Sequence, residues 1–382
     1  MSRVGSIVVV SHKYLTQPDD DIVLYLRSKR YKNVMHVRHS FSHASDRKSY
    51  FSWYKEGGLH KEGISYDFRK WPEPIIYFKE LVYTVYWIAS ARLKWDMYIG
   101  MDGLLTFFGL ILRFLRVVSK SVYWVIDFVP DNRFPSHLLN EIYKRINTLS
   151  YKNADEVWDL SPRMKEARKR FWGLSETSYR KWKLVPYGVW VSRVRRYSYD
   201  ECEKNTLVFM GHLLEKQGVQ LVIRAIPEII NNIPDLKFKI IGDGEYRRKL
   251  EELAKDLGVE KYCVFLGKIE KDEDMEAEIA RSTVAIAPYI RELDTWTYYA
   301  DPGKIKEYLV CGVPVLLTDL PWNSQDIVRK RCGLIINEDI NDIKTKLIEL
   351  MKREINREYR QNAVRFVHDF DYNEVFKKLD LN

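Results

Sequence analysis

The most constraining feature of the sequence is an alternation of β-rich apolar runs with segments of helical periodicity along nearly its whole length. In the first half, the runs SIVVVSH (6–12) and NVMHVRH (33–39) enclose the helical segment DDDIVLYLRSKR (19–30). In the second half, the runs TLVFMGH and KFKIIGDG enclose VQLVIRAIPEII in the same way. Strands that alternate with helices are typical of parallel sheets covered on both faces. The pattern therefore predicts an α/β fold.

A polar stretch without periodicity divides this alternation into two series. A chain of 382 residues exceeds one ordinary core and fits two domains. We predict a first α/β domain over 1–190, a linker over 191–205, a second α/β domain over 206–365 and a final segment over 366–382. Ligands of such folds bind beyond the carboxyl ends of the strands. We therefore expect the site in a cleft between the two domains.

Several classes of function find no support in the sequence. Neither half carries a G-x-G-x-x-G motif with a distant acid, a Walker motif or a G-x-S-x-G elbow. The four cysteines show no paired spacing, so we expect no metal and no cofactor. The most apolar segment, 103–112, is too short to cross a bilayer, and the first residues read better as a strand than as a secretory leader. These features predict a cytoplasmic protein.

Charge and tryptophan are unevenly distributed between the two halves. Residues 1–200 hold 34 Lys and Arg against 20 Asp and Glu, whereas the remainder holds 28 against 33. Nine of the eleven tryptophans also lie in the first 200 residues. This balance favours an anionic partner, such as nucleic acid, a membrane surface or a phosphate-bearing acceptor. The alternative is a solvated basic surface over a tryptophan-rich core.

Two segments bear on membrane contact. The stretch KRFWGLSETSYRKWK (169–183) mixes basic and aromatic residues and fits contact with anionic lipid. The helical run 104–118 follows a strand, so we interpret its apolar face as core.

The segments between residues 205 and 370 have an order and spacing similar to those of a known family. They are TLVFMGHLLEKQGVQLVIRAI, FKIIGDGEYRRKLEELAKDLG, VFLGKIEKDE, TVAIAPY and KIKEYLVCGVPVLLTD. Together they resemble the donor-binding domain of GT-B glycosyltransferases, most of all family four, whose members use nucleotide-diphosphate sugars. In the first half, DMYIGMDGLL, VYWVIDFVP, ADEVWDLSPRM and LVPYGV resemble the acceptor-binding domain of the same fold. FVHDFDYNEVFKKL resembles the C-terminal helix that crosses back onto that first domain.

The resemblance implies two Rossmann-like domains facing a cleft, the first for the acceptor and the second for the donor. It implies transfer of a sugar from a nucleotide-diphosphate sugar to a glycan or lipid-linked glycan, without a metal and with retention of configuration. It also implies a cytoplasmic enzyme, with peripheral contact of its basic first domain with the inner face of the membrane and no nucleic acid as partner.

The stretch YADPGKIKEYLVCGVPVL (299–316) carries the best match to the family's donor site. Glu307 falls at the second Glu of the E-x7-E motif, which holds the ribose of the nucleotide in this family. Tyr299 stands where the first Glu, a donor-sugar contact, is expected. Asp301 is close enough to replace that Glu in a catalytic role, and it equally fits an N-cap in front of Pro302.

The start of the same helix fits a diphosphate. Gly303 and Lys304 offer first-turn N–H groups, Gly303 lets a phosphate approach closely, and Lys304 adds a charge. On an ordinary solvated helix, Lys304 and Glu307 would form only an i,i+3 pair.

The loop GHLLEKQGV (211–219) resembles the family's diphosphate-binding loop, G-R-L-x-x-x-K-G. Gly211 keeps the first position, whereas His212 replaces the arginine and Gln217 replaces the lysine. Lys216 lies one residue earlier and supplies a displaced positive charge. The alternative is a structural histidine at the end of a strand.

Asp127, in VIDFVP, is the candidate for the reacting centre in the first half. It matches the Asp of the family's common His-Asp pair, with Ile126 in place of the histidine. If the enzyme inverts configuration, this carboxylate could take the proton of an acceptor hydroxyl; if it retains, Asp127 would position donor or acceptor. The alternative is that Asp127 only orders the following turn.

Two other functions stay open at this level. One is a GT-B sugar-nucleotide epimerase, which would bind a donor without an acceptor. The other is a non-catalytic GT-B-shaped scaffold or membrane-surface subunit, which the altered basic loop and Tyr299 would suit.

Overall fold

In the computed structural model, residues 5–13, 18–40, 46–128, 133–175, 178, 181–293 and 295–381 are described. The chain divides into two compact units. Unit 1 comprises Met1–Pro186 together with Val375–Asn382, and unit 2 comprises Tyr187–Glu374.

Unit 1 is built on one sheet with helices between its strands. Its strands are β1 (Ser6–Lys13), β2 (Asn33–Ser40), β3 (Ser49–Lys55), β4 (Gly58–Ile64), β5 (Trp95–Gly100), β6 (Val118–Val125), β7 (Glu156–Asp159) and β8 (Trp182–Leu184). Its helices are α1 (Asp19–Ser28), α2 (Glu73–Ser90), α3 (Gly103–Phe114), α4 (His137–Asn153) and α5 (Arg163–Trp172). The strand order is β4-β3-β2-β1-β5-β6-β7-β8.

The strand order of unit 1 reverses between β1 and β5, which pair in parallel. A reversal of this kind opens a crevice beyond the carboxyl ends of the two strands. The apolar face of α3 buries Leu105, Phe108 and Leu112 in the core beside β1 and β5, as the sequence predicted for this helix. The strands that border the crevice are therefore packed against a buried helix face.

The hairpin β3–β4 is the one described part of this sheet that runs antiparallel. The strand-helix alternation did not predict it. β3 alternates buried and half-buried residues, and the turn places Glu56 and Gly57 at φ 50° and 88°. A two-residue turn with positive φ at both positions suits the twist of a hairpin. It extends the sheet beside β2, away from the reversal.

Unit 2 contains a parallel sheet of the same general kind. Its strands are β9 (Thr206–Met210), β10 (Lys237–Ile241), β11 (Cys263–Gly267), β12 (Val284–Ala287), β13 (Val315–Thr318) and β14 (Gly333–Ile336), in the order β11-β10-β9-β12-β13-β14. Its helices are α6 (Val219–Ile229), α7 (Arg247–Asp256), α8 (Asp272–Ala280), α9 (Thr295–Tyr299), α10 (Gly303–Val310), α11 (Ser324–Arg329), α12 (Ile340–Met351) and α13 (Arg353–Val367). α14 (Tyr372–Lys377) begins in unit 2 and ends in unit 1.

The strand order of unit 2 reverses between β9 and β12. The loops after these two strands touch at Gly218, where φ is 75° and a Cβ atom would lie 1.7 Å from the carbonyl oxygen of Pro288. Only glycine fits both the conformation and the space. The close approach holds the loop 211–218 against the end of β12, at the position where such sheets bind ligands.

The predicted α/β class with two Rossmann-like sheets is confirmed. Residues 191–205, predicted as a linker, lie within unit 2, where Val191 and Val194 are buried. At the end of the chain, Phe376 lies in unit 1, with its ring 5.4 Å from that of Tyr25 and 6.0 Å from that of Trp124. Among the described helices, none is long and apolar enough to span a membrane.

Candidate active site

A lysine side chain lies at the reversal of the sheet in unit 2. Lys304, in the first turn of α10, donates from Nζ to Oε1 of Gln217 at 2.5 Å. Its Nζ also lies 4.4 Å from the ring centroid of Phe209 and 5.1 Å from that of Tyr289. Phe209 belongs to β9, Gln217 to the loop that follows β9 and Tyr289 to the loop that follows β12, so the ammonium group is held at the crevice from both sides.

Gly211 makes room for this lysine. It follows β9 directly, has φ 148°, and a Cβ atom added to it would lie 2.7 Å from Nζ of Lys304. Its N–H donates to the carbonyl oxygen of Ile241 at the end of the neighbouring strand. The structure thus brings together three elements of the predicted donor site: Gly211, Lys304 and position 217, where glutamine stands.

The two other residues predicted in this loop, His212 and Lys216, make different contacts. His212 is exposed, and its Cδ2 would meet a Cβ atom on Gly244 at 2.6 Å. Lys216 is half-buried, with Nζ 6.0 Å from the ring centroid of Trp296, while its carbonyl oxygen accepts from the N–H of Ile290 at 3.0 Å. The side chains of His212 and Lys216 therefore contact Gly244 and Trp296, whereas Lys304 contacts residues of β9 and of the loops after β9 and β12.

The start of α10 is open to a ligand. α10 begins at Gly303, and among the described residues no heavy atom apart from its chain neighbours and the helix backbone lies within 4 Å of the position that a Cβ atom would take there. The first N–H groups of any α-helix lack acceptors in the helix itself and attract anions. Glu307 lies one turn further, half-buried, and its charge acts on the guanidinium of Arg193.

Asp301 does not cap α10, so that prediction is wrong. No side chain caps the helix, and the carboxylate of Asp301 is turned inward, with the residue 2% exposed. It accepts from the N–H of Tyr187 at 2.8 Å and from Nε1 of Trp322 at 2.8 Å, and it pairs with the buried ammonium group of Lys306. Its predicted part in the reaction stays a prediction, but three donors already occupy its two oxygens.

Unit 1 has a charged cluster at its own strand reversal. His12, near the end of β1, bonds through Nδ1 to Oδ2 of Asp102 at 2.5 Å and through Nε2 to Oε2 of Glu80 at 3.2 Å. Asp102 follows β5 and also caps α3, accepting from the N–H of Leu105 at 2.7 Å. Burial lowers the pKa of His12, but the charges and hydrogen bonds of Asp102 and Glu80 outweigh it and raise that pKa to about 10. The imidazole ring is therefore protonated at neutral pH.

Asp127 borders the same cluster. It follows β6, is exposed, and lines a small hollow together with His12, Asp102, Arg133 and Tyr143. The protein atoms crowded around its carboxyl group raise its pKa, Arg133 opposes that shift, and the negative charge of Asp102 adds to it. A carboxylate with a raised pKa at an open hollow is suited to accept a proton.

The sequence did not single out His12, Glu80 or Asp102. Two of these residues could have been found by one rule. His12 and Asp102 lie at the carboxyl ends of β1 and β5, the strands between which the order reverses, and that is where open α/β sheets bind ligands. Glu80 gives no such signal, because it lies in the middle of a long helix.

A second group in unit 1 has the composition of a metal site. Asp19, Asp20 and His36 bring potential ligand atoms within 4.8 Å of one another. The buried members are already bonded: Asp19 accepts from the hydroxyl of Ser11 at 2.6 Å and contacts Nε2 of His36 at 3.0 Å. We therefore interpret this group as a set of hydrogen bonds that ties α1 to β1 and β2.

Comparison with known proteins agrees with this architecture. Residues 204–353 match a family model described as Glycosyl transferases group 1. A Mycolicibacterium smegmatis protein named GDP-mannose-dependent alpha-(1-6)-phosphatidylinositol monomannoside mannosyltransferase is 27% identical over 158 residues, which make up 41% of each chain. The chain thus spans about two fifths of the length of the curated relatives it matches.

Solved structures match over almost the whole chain. A glycosyltransferase from Rickettsia africae has a TM-score of 0.71 at 11% identity and covers 98% of this chain and 97% of its own. Anabaena HepE in complex with UDP has a TM-score of 0.66 at 14% identity and covers 98% of both chains. Residues 204–353 thus match the model of the glycosyl transferases group 1 family, and the whole chain has the GT-B fold of the solved structures it resembles.

Proposed function

We propose that this protein is a glycosyltransferase that moves a sugar from a nucleotide-diphosphate sugar to a glycan or lipid-linked acceptor. One observation carries the proposal: the ammonium group of Lys304 is held over Gly211 at the strand reversal of a group 1 domain. A fixed cation beside an open helix start is suited to bind a diphosphate, because both stabilise negative charge.

The donor is bound by unit 2 in this proposal. The diphosphate contacts the backbone at Gly303, the ammonium group of Lys304 and the loop 211–218, with His212 and Lys216 at its border. Glu307 holds the ribose. These groups stabilise the charge that develops on the departing diphosphate, so the reaction needs no metal.

The acceptor is bound by unit 1 in this proposal. The raised pKa of Asp127 suits a carboxylate that takes the proton of an acceptor hydroxyl or positions that hydroxyl. The protonated ring of His12 supplies an N–H donor and a positive charge to the same cluster. Retention of configuration and a cytoplasmic location at the inner face of the membrane complete the proposal.

The relatives indicate which donors to test first. One is named as dependent on GDP-mannose, and one was crystallised with UDP-glucose. Isothermal titration of the full chain with GDP-mannose, UDP-glucose and ADP-glucose should show binding of one of them, with slow release of its sugar to water. Glu307→Ala should weaken that binding by about ten- to a hundredfold, the loss of a charge-assisted hydrogen bond pair.

The control is Glu354→Ala, which removes an exposed carboxylate from α13 in the same unit and should bind as the wild type does. Absence of binding for all three donors would contradict the proposal and favour a scaffold. A bound donor whose sugar is epimerised rather than released would favour the epimerase.

A further inference from the structure

Unit 2 contains a cavity of about 370 Å³ beyond the carboxyl end of α10. Its walls are the segment 196–199, Gly312 and one side of α13. Gly312 lies two residues after Val310, where α10 ends, whereas the proposed diphosphate site lies at the first turn of this helix. An α-helix of eight residues is about 12 Å long, so the cavity and the donor site lie at opposite ends of α10.

Two arginines of the cavity wall are fixed against helix ends. Arg196 donates from Nε to the carbonyl oxygen of Val310, the last residue of α10, at 2.8 Å. Arg360 donates from Nη2 to the carbonyl oxygen of Ala280, the last residue of α8, at 2.9 Å. Both guanidinium groups are therefore held in place by backbone oxygens.

These backbone contacts do not balance the charge of the two arginines. The carboxyl end of a helix carries about half of an elementary negative charge, which offsets only part of each guanidinium charge. In the described part of the chain, no carboxylate pairs with Arg196 or Arg360. Burial lowers the pKa of both groups, and the opposing influences come from cysteine thiols instead of carboxylates. Arginine stays protonated in proteins, so the cavity wall keeps this positive charge.

A third arginine of the wall has a partner that it shares. Arg357 pairs with the carboxylate of Asp200, which also lies 2.9 Å from Nη2 of Arg353. The three guanidinium groups of the wall therefore have one carboxylate, and two of their positive charges are without a counter-charge. Because Arg357 and Gln361 are exposed, a ligand can reach this charge from solvent.

The rest of the wall suits the body of a small organic molecule. Tyr197, Tyr199 and Val364 line the cavity and are half-buried. Binding sites for small molecules have volumes of about 300–1,000 Å³ and are mostly apolar, with a few polar groups that fix the ligand. A bare inorganic anion would fill only a small part of this space, so the charge and the volume together indicate an organic anion.

We propose that this cavity binds a phosphate monoester whose organic part is a sugar or a nucleoside. Such a group carries about 1.5 to 2 negative charges at neutral pH, which matches the two unbalanced positive charges. Guanidinium groups bind phosphate oxygens through parallel N–H donors, and Arg196 uses only two of its five N–H groups on backbone oxygens. The organic part packs against the tyrosines and Val364. The proposed function does not use this cavity.

The test is titration calorimetry of the full chain, without a donor, against glucose 6-phosphate and AMP. At least one of the two should bind, and more tightly than glucose or inorganic phosphate, which each supply only one half of the ligand. The tighter of the two monoesters identifies the class of the organic part.

Variants of the charged groups should change this affinity in opposite directions. Arg357→Met should weaken binding at least about tenfold, because a charge-assisted contact to the phosphate is lost. Asp200→Asn should strengthen binding about two- to fivefold, because Arg357 no longer pairs with a carboxylate. Arg365→Met removes an exposed arginine from α13 outside the cavity wall, and this matched control should bind as the wild type does.

Two further variants separate the cavity from general charge effects and from the donor site. Gln361→Trp keeps the three arginines and adds a bulky ring to the wall, so it should also weaken binding at least about tenfold. Lys304→Met changes the proposed donor site and should leave binding of the monoester unchanged. Urea unfolding verifies that each variant folds.

Three outcomes would overturn the inference. One is a wild type that binds neither monoester. Another is an Arg357→Met variant with wild-type affinity. The third is loss of binding in Lys304→Met, which would assign the monoester to the start of α10. Failure of the chain to bind any nucleotide sugar would contradict the proposed function and leave the result of this test unaffected.

Discussion

Asp127 and Asp301 invite comparison, because the sequence assigned both to the reacting centre and the structure gives them opposite surroundings. Asp127 is exposed at a hollow of unit 1, and no hydrogen bond to its carboxylate is present among the described residues. Asp301 is buried in unit 2, where Tyr187, Trp322 and Lys306 donate to it. An aspartate near a predicted site can therefore take part in the reaction or stabilise the fold.

The same contrast separates the two clusters as wholes. The cluster of unit 1 combines carboxylates with a protonated histidine that is hydrogen-bonded to two of them. The cluster of unit 2 combines backbone groups with a fixed ammonium ion, a combination that favours negative charge. One region is suited to acid-base chemistry, and the other to holding a charged donor.

The largest effect is expected from Asp301. Asp301→Ala should lower the free energy of unfolding by about 3–5 kcal/mol, because it leaves the charge of Lys306 buried without its partner. Asp127→Ala should change that free energy by less than about 0.5 kcal/mol, while it abolishes release of the donor sugar. Urea unfolding of both variants measures the difference.

Adding Lys306→Met to Asp301→Ala should recover part of the lost stability, since no charge then stays buried. Equal stability of the two aspartate variants would show that Asp301 is not part of the frame, and would break the comparison.

The next effect is expected on donor affinity. Lys304→Met keeps the length of the side chain and removes its charge, so it should weaken binding of the nucleotide sugar by about ten- to a hundredfold, the loss of one charge-assisted contact to a phosphate. Asp127→Ala should leave the affinity unchanged. Titration calorimetry measures both, and a Lys304→Met variant with wild-type affinity would remove Lys304 from the site.

The third expected effect is a change in the pH dependence of stability. His12 has a pKa of about 10 in the folded chain against 6.5 when unfolded, so its contribution to stability is complete below pH 6.5 and is lost as the pH rises toward 10. His12→Gln should remove this contribution and flatten the decline, by at most about 1.4 kcal/mol per pH unit.

Thermal unfolding of the wild type and His12→Gln across this window is the measurement. Parallel curves for the two proteins would mean that His12 does not carry a proton between Asp102 and Glu80.

The sequence predicted the class of fold well, because the alternation of strands and helices dictates which faces are buried. The resemblance to a known family, rather than spacing alone, singled out Gly211 and Lys304, and the structure brings these two residues together. The sequence did not predict the direction in which a short side chain points. Asp301 precedes a helix, as a cap does, yet its carboxylate is buried and bonds to donors in the interior.

The burial of two charged residues of α2, Lys79 and Glu80, escaped prediction for a related reason. Periodicity separates an apolar from a polar side but does not say which side faces the core when Lys79 and Glu80 find partners inside. His12 and Asp102 meet only after the strand order brings β1 beside β5. Contacts of this kind depend on topology, which residue spacing alone does not supply.

The bond between Lys304 and Gln217 has a consequence for the donor binding proposed for unit 2. Glutamine is neutral, so it orients the ammonium group without cancelling its charge, and it replaces a residue that would have repelled it. The ammonium group is thus positioned before any ligand arrives, which lowers the entropy lost on binding. One ammonium group attracts a diphosphate less strongly than two cations would, but it is already held in place before binding. In this protein, the neutral side chain of Gln217 stands where the family has a lysine, and it holds the ammonium group of Lys304 in position.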